Sequence, residues 1–129
     1  MKKHQAWLVM ELVSHPALEQ VKLTKEEDLK FVMLQLCEAI TYLHRLEIVH
    51  RDVKPENILI DPLTKKIKLV DFGISKHLRK RGSLCDLWTS TGTIYFKAPE
   101  MFGGGYREGV DVWAAGVSLF WLICGYTPF

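Results

Sequence analysis

The sequence predicts a mainly α fold with small β hairpins, and three observations carry that expectation. Leu29, Met33, Leu36, Ile40 and Leu43 recur at steps of four and three, the apolar stripe of an amphipathic helix. Val112 to Cys124 is an apolar run without a charge, long enough for a buried helix. Between these two segments, Ile48-Val49, Ile58-Leu59-Ile60 and Ile67-Lys68-Leu69-Val70 are short β-type runs bounded by turn residues.

In chain order, Ala6 to Val13 (AWLVMELV) is apolar and reads as a short buried strand that leaves through Ser14, His15 and Pro16. Thr24 opens the first large helix, about 24–45, with Glu27 completing a capping box. Asp61-Pro62 with Thr64 makes a turn between two of the β-type runs, so the polar segment 50–57 becomes a loop held at both ends by small strands. From Asp71 to Thr93 no period persists, and a loop of that length inside a compact domain is usually functional. Pro99 and Glu100 start a short helical turn, Gly103-Gly104-Gly105 breaks it, and the apolar helix follows at about 110–124. There are no repeats and no linker that would divide the chain.

At 129 residues and 48% hydrophobic content, the sequence suits one folded domain or part of one, and is too short for two lobes of ordinary size. A formal charge of +2 is too small to argue for a nucleic-acid partner, and the dense basic stretch Lys76 to Arg81 (KHLRKR) reads as a solvated loop. The uncharged run Val112 to Cys124 falls short of the roughly 18 to 20 residues that cross a bilayer, so no membrane partner is expected. Glu11 interrupts the opening apolar run and no small-residue cleavage site follows, which argues against a signal peptide. Cys37, Cys85 and Cys124 are odd in number and in no metal-ligand spacing, as expected of buried or free thiols in cytosol or nucleus.

The chemistry concentrates in His50 to Ile60 (HRDVKPENILI) and in Asp71, nineteen residues after Asp52. Asp52, Asn57 and Asp71 each have an ordinary reading as turn-forming residues. Two oxygen donors converging from adjacent hairpin strands, however, suit a hard divalent cation such as Mg²⁺, which takes few protein ligands and leaves other positions to phosphate and water.

In order and spacing, HRDVKPEN, then Asp71-Phe72-Gly73, then Ala98-Pro99-Glu100 resemble the catalytic-loop, metal-binding and activation-segment signatures of eukaryotic serine/threonine protein kinases. The resemblance covers Ala6 to Phe129, and the ending GYTPF leans toward calmodulin-dependent-type kinases. It implies a partial kinase-like C-lobe: a hinge at 10–14, the first large helix, a catalytic loop at 50–57, an activation segment at 71–100 and the central apolar helix. It also implies transfer of the ATP γ-phosphate to a Ser or Thr hydroxyl of a protein substrate, with Mg²⁺ as cofactor.

Carried over residue by residue, the resemblance makes Asp52 the base, Lys54 the contact to the γ-phosphate, and Asn57 and Asp71 the Mg²⁺ ligands. The sequence VKPE around Lys54 is of the serine/threonine type. Met10 stands at the gatekeeper position, Glu11 to Val13 would meet adenine through their backbone, and Leu59 would lie under the ring; for Met10 and Leu59 plain core burial competes with those roles. His50 and Phe72 resemble members of a hydrophobic spine, which agrees with simple packing. Arg51, with Lys76 as a second cation, would pair with a phosphate on the long loop, carried by Thr89 in relatives and with Ser83, Ser90 and Thr91 as competing sites. Thr93 resembles the threonine that bridges Asp52 and Lys54, Asp111 the residue that bonds the catalytic-loop backbone, and Glu100 the acid that pairs with an arginine of the last helices.

Parts of the family pattern lie outside these residues. The Gly-rich loop, the strand lysine and its helix glutamate precede the hinge in the family, and Lys2 and Lys3 do not replace them. The N-lobe and final helices are therefore expected to be missing from the 129 residues, which by themselves should be inactive and poorly soluble. Between Ser14 and Thr24 the common glycine pair is absent, and Ile94, Tyr95 and Phe96 replace the more usual GTPxYxAPE pattern. A non-catalytic kinase-like binding module and a truncated gene product stand as alternatives. The oligomeric state is not legible.

Overall fold

The computed structural model describes residues 7–78, 93–103 and 105–129. Helix α1 (Glu26–Arg45) buries Val32, Leu36, Ile40 and Leu43. The apolar stripe is thus rotated slightly from the expected one: Val32 is fully buried, while Leu29 and Met33 are half-buried. The expected capping box at Thr24 is not formed, because the helix starts at Glu26 with Lys25 before it and no side-chain cap bond. Its first turn carries Glu26, Glu27 and Asp28 instead, negative charge where the helix dipole is positive.

Helix α2 (Gly109–Cys124) buries Val110, Asp111, Ala114, Ala115, Val117 and Ser118. It ends at Gly125, whose φ of 79° is the left-handed conformation that suits glycine, and whose N–H bonds the carbonyl of Trp121 at 2.8 Å. Among the described residues this apolar helix is not covered on all sides: Val112 and Ile123 are more than 60% exposed. The main core joins Val32, Leu36 and Ile40 of α1 to Ala114, Ala115 and Val117 of α2, with Leu18, Val53, Ile58, Ile60 and Phe96.

Among the described residues, four short strands form two antiparallel pairs. Strand β1 (Ile48–Val49) pairs with β4 (Lys76–His77), and β2 (Ile58–Ile60) pairs with β3 (Ile67–Leu69). β4 falls within the stretch where no period was expected, and two residues are too few to set one. The β2–β3 turn is closed by Asp61, whose Oδ1 accepts the N–H of Leu63 at 2.8 Å and whose Oδ2 accepts the Thr64 hydroxyl at 2.8 Å. The Thr64 hydroxyl, followed by the Leu63 amide, holds the Asp61 carboxyl below the usual carboxylate range. Gln35 fastens this hairpin to α1, accepting from the Ile67 N–H at 3.2 Å and donating to the Lys65 carbonyl at 2.9 Å.

The strand expected at Ala6 to Val13 is not present in its described part, residues 7–13. Trp7, Val9 and Leu12 are 87%, 93% and 90% exposed. A strand needs a neighbour, and the outer edge of β2 is already taken: Ala17 bridges Leu59, and the Ile60 N–H bonds the Pro16 carbonyl at 3.0 Å. Cys37 and Cys124 are free and exposed rather than buried, and Cys85 lies outside the described residues. No helix among the described residues is long and apolar enough to cross a membrane.

Candidate active site

The loop 50–57 runs from β1 to β2 and is pinned from below by α2. Asp111, in the first turn of that helix, is fully buried. Its Oδ1 accepts the Arg51 N–H at 2.8 Å, and its Oδ2 accepts the His50 N–H at 2.9 Å and meets Nε2 of His44 at 2.9 Å. A buried carboxylate requires such partners, and here they are the backbone of the loop itself. Those bonds hold Arg51 at φ 71°, a left-handed conformation that costs a residue with a Cβ about 1–2 kcal/mol.

The His50 ring ties the loop to the far end of β3. Its Nε2 lies 3.0 Å from the Val70 carbonyl and its Nδ1 lies 3.3 Å from the Asp52 N–H. Both bonds are satisfied only when Nε2 carries the proton and Nδ1 accepts, which assigns the tautomer. The ring is fully buried and meets the Phe72 ring edge-on at a centroid distance of 4.8 Å. Val53, buried, and Pro55, also buried, anchor the middle of the loop in the core.

Asp52 gathers the polar groups. Its Oδ2 accepts from Asn57 Nδ2 at 2.8 Å and lies 3.0 Å from Lys54 Nζ. Asn57 Nδ2 also bonds the Asp52 carbonyl at 2.8 Å, so the amide nitrogen is fully committed and the amide oxygen is left as the ligand a cation would meet. Lys54 Nζ donates in addition to Thr93 Oγ1 at 3.3 Å, which joins the segment from Thr93 to the loop.

The register of β2 and β3 sets the position of Asp71, the second residue expected to meet a cation. Ile58 pairs with Leu69, and the Val70 N–H bonds the Asn57 carbonyl at 2.9 Å, so Asn57 and Asp71 leave the hairpin at the same end. Asp71 is held at φ 62°, with its Oδ1 accepting the Gly73 N–H at 3.1 Å. A Cβ at residue 73 would stand 3.0 Å from that oxygen, so glycine there leaves the carboxylate its position. Among the described residues no three His, Cys, Asp or Glu converge on one point. A pair of oxygen donors nevertheless fits Mg²⁺, which keeps most of its shell for phosphate and water.

The residues expected on the adenine side are placed differently. Met10 is 74% exposed, which overturns core burial as its explanation: the segment around it has no strand to lie on. Glu11 is exposed and forms an ion pair with Lys68, the cross-strand neighbour of Leu59, so residue 11 reaches the outer face of the hairpin. Val13 and Leu59 are half-buried, Leu59 on the face of β2 opposite Ile58 and Ile60.

Phe72 is 45% exposed and is not a core residue; its ring meets the edge of the His50 ring. The Arg51 guanidinium donates to the Ile74 carbonyl through Nε and to the Tyr106 hydroxyl at 3.3 Å. Lys76 sits in β4 opposite Val49, and Glu100 is exposed in a short 3-10 turn over Pro99–Phe102. Thr89, with Ser83, Ser90 and Thr91, lies outside the described residues. His44, Tyr106 and Gln35 were not expected at all. Each acts across a long sequence separation through a polar side chain, and helical periodicity gives no signal for that.

The model of the protein kinase domain family matches residues 1–129. The chain is 41% identical over 116 residues to serine/threonine-protein kinase DCLK3 of Homo sapiens, covering 87% of this chain and 17% of that protein. It is 40% identical over 107 residues to calcium-dependent protein kinase 4 of Plasmodium falciparum (isolate 3D7), covering 81% of this chain and 20% of that protein. It is 40% identical over 135 residues to serine/threonine-protein kinase DCLK1 of Rattus norvegicus, covering 97% of this chain and 30% of that protein. The chain thus spans between 17% and 30% of the length of these relatives.

Proposed function

The chain belongs to the protein kinase domain family, and on that premise we propose that the protein carrying it transfers the γ-phosphate of ATP to serine or threonine hydroxyls of a protein substrate. The single observation that carries this reading is the Asp52 cluster, with Lys54 at 3.0 Å and Asn57 at 2.8 Å from the same carboxylate. Phosphoryl transfer asks a protein for position and charge neutralisation more than for covalent chemistry. Asp52 accepts the proton of the substrate hydroxyl as its oxygen forms the new bond to the γ-phosphorus, and ADP departs with the broken bond's electrons. Lys54 supplies positive charge beside that transfer. Thr93 keeps Lys54 from collapsing wholly onto Asp52.

Asn57 and Asp71 would hold Mg²⁺, which when bound neutralises phosphate charge. Residues 10–14 serve as the hinge, with Met10 as gatekeeper, Glu11 to Val13 meeting adenine through their backbone, and Leu59 beneath the ring. His50 and Phe72 form part of the spine between lobes, and residues 71–100 are the activation segment of a kinase C-lobe. Arg51 and Lys76 answer a phosphate on Thr89, for which Arg51 would exchange its present bonds to Ile74 and Tyr106.

The 129 residues contain no G-x-G-x-x-G, so on their own they are expected to give no turnover; the natural-length protein is the one to assay. Incubated with γ-labelled ATP, Mg²⁺ and a protein acceptor, it should yield phosphoserine or phosphothreonine on acid hydrolysis. Asp71→Asn should raise the Mg²⁺ concentration needed for half-maximal rate by about tenfold or more. Label found on tyrosine, or an Mg²⁺ requirement indifferent to Asp71, would count against the reading.

A further inference from the structure

Helix α1 carries a second apolar stripe, on the side turned away from the core. Its inner face is Val32, Leu36, Ile40 and Leu43, whereas Phe31, Leu34 and Tyr42 are 45%, 57% and 64% exposed. Glu27, Glu38 and Arg45 are exposed as well. In the order Glu27, Phe31, Leu34, Glu38, Tyr42 and Arg45 the residues follow one another at steps of four or three, so they share one helix face. Among the described residues Glu27, Glu38 and Arg45 have no ion pair, while Glu26 beside them is paired with Lys30 at 2.7 Å. Three large apolar side chains with an acid at one end and a base at the other suit a helical partner of matching charge.

The order of these residues is its own complement. Counted from residue 36, Glu27 stands nine places before and Arg45 nine after, Leu34 two before and Glu38 two after, Phe31 five before and Tyr42 six after. We infer that this face of α1 is the interface of a homodimer, in which a second copy lies antiparallel about a two-fold axis level with residue 36. Glu27 then meets Arg45 of the second copy, Phe31 meets Tyr42, and Leu34 lies along the aliphatic part of Glu38, each contact occurring twice. The antiparallel sense follows from charge, because a parallel pair would set Glu27 against Glu27 and Arg45 against Arg45. It also brings helix ends of opposite dipole together. So narrow a contact buries about 1,000 Å² or less in total, the size of a weak, reversible interface, and association at about 10–100 µM is expected. None of these residues belongs to the Asp52 cluster, so the pairing stands apart from phosphoryl transfer.

Sedimentation velocity of the natural-length protein, from about 1 to 200 µM, is the test, and a monomer–dimer equilibrium is expected within that range. Arg45→Glu and Glu27→Arg should each weaken association about tenfold or more, since both ends of the interface then carry like charges. Mixing these two variants should restore the dimer, because every charged contact in the mixed pair again joins an acid to a base. Tyr42→Ser should weaken it too, with each variant's melting temperature checked against the parent. A monomer throughout the range, a dimer indifferent to the charge reversals, or no recovery on mixing would overturn the inference. So would a Tyr42→Ser variant that melts several degrees lower while the parent stays monomeric, since another part of the same protein would then cover the face.

Discussion

Residues 50–73 and residues 7–13 are both dense in functional expectation, and they differ in how they are held. The first segment is fixed by polar bonds: Asp111, far away in sequence, grips two successive backbone amides, His50 reaches Val70, and Asn57 and Lys54 converge on their near neighbour Asp52. The second is exposed, apolar and tied down by an ion pair on the surface between Glu11 and Lys68. The groups proposed as catalytic therefore come positioned by bonds within the chain, whereas the residues proposed for adenine gain no such support from the described residues.

That contrast makes Asp111 the place of greatest sensitivity. Asp111→Leu would leave the buried His50 N–H and the part-buried Arg51 N–H without these acceptors, at up to about 1–3 kcal/mol each, and would release the left-handed backbone of Arg51. Unfolding in urea should register a loss of several kcal/mol, and turnover of the natural-length protein should fall by about a hundredfold or more, since the loop carries the proposed base. A variant that melts and turns over like the parent would erase the distinction between the two regions.

A smaller effect is expected one step out, at Gly73. Gly73→Ala puts a methyl carbon 3.0 Å from Asp71 Oδ1, so the carboxylate must move. About a tenfold weaker response to Mg²⁺ is expected with little change in melting temperature, as for other groups that orient a metal ligand. A loss confined to stability, with the Mg²⁺ response intact, would mean that the glycine serves packing alone.

The least effect on folding belongs to residues 7–13. Met10→Ser should shift the unfolding free energy by less than about 0.5 kcal/mol, because an exposed side chain away from caps, cavities and buried pairs has little to lose. A cost of several kcal/mol would show that this segment is buried against something and that the comparison is drawn in the wrong place.

How far the sequence revealed this arrangement depends on the range of the interactions involved. The helices of α1 and α2 and the strands β1 to β3 were legible, because periodicity and turn residues are local signals and Leu36, Ile40 and Leu43 do face the core. The strand at Ala6 to Val13 was misread because its apolar composition says nothing about whether a partner edge is free, and Pro16-Ala17 takes the nearest one. Phe72 was misread for a related reason: an aromatic residue suggests burial, but burial needs a second surface. At the site, Asp52, Asn57 and Asp71 could be picked from spacing, while the His44–Asp111 pair could not. Its two residues lie 67 apart, and only the packing of α1 on α2 brings them together.

The loop between β1 and β2 is proposed to present Asp52 as the group that receives the hydroxyl proton. Single-turnover phosphate transfer by the natural-length protein, compared with its Asp52→Asn variant at matched melting temperature and saturating Mg²⁺ and ATP, tests it most directly. A fall in rate of about 10²- to 10⁴-fold with ATP binding retained is the predicted result. Transfer by the Asp52→Asn variant within a few-fold of the parent rate would contradict it.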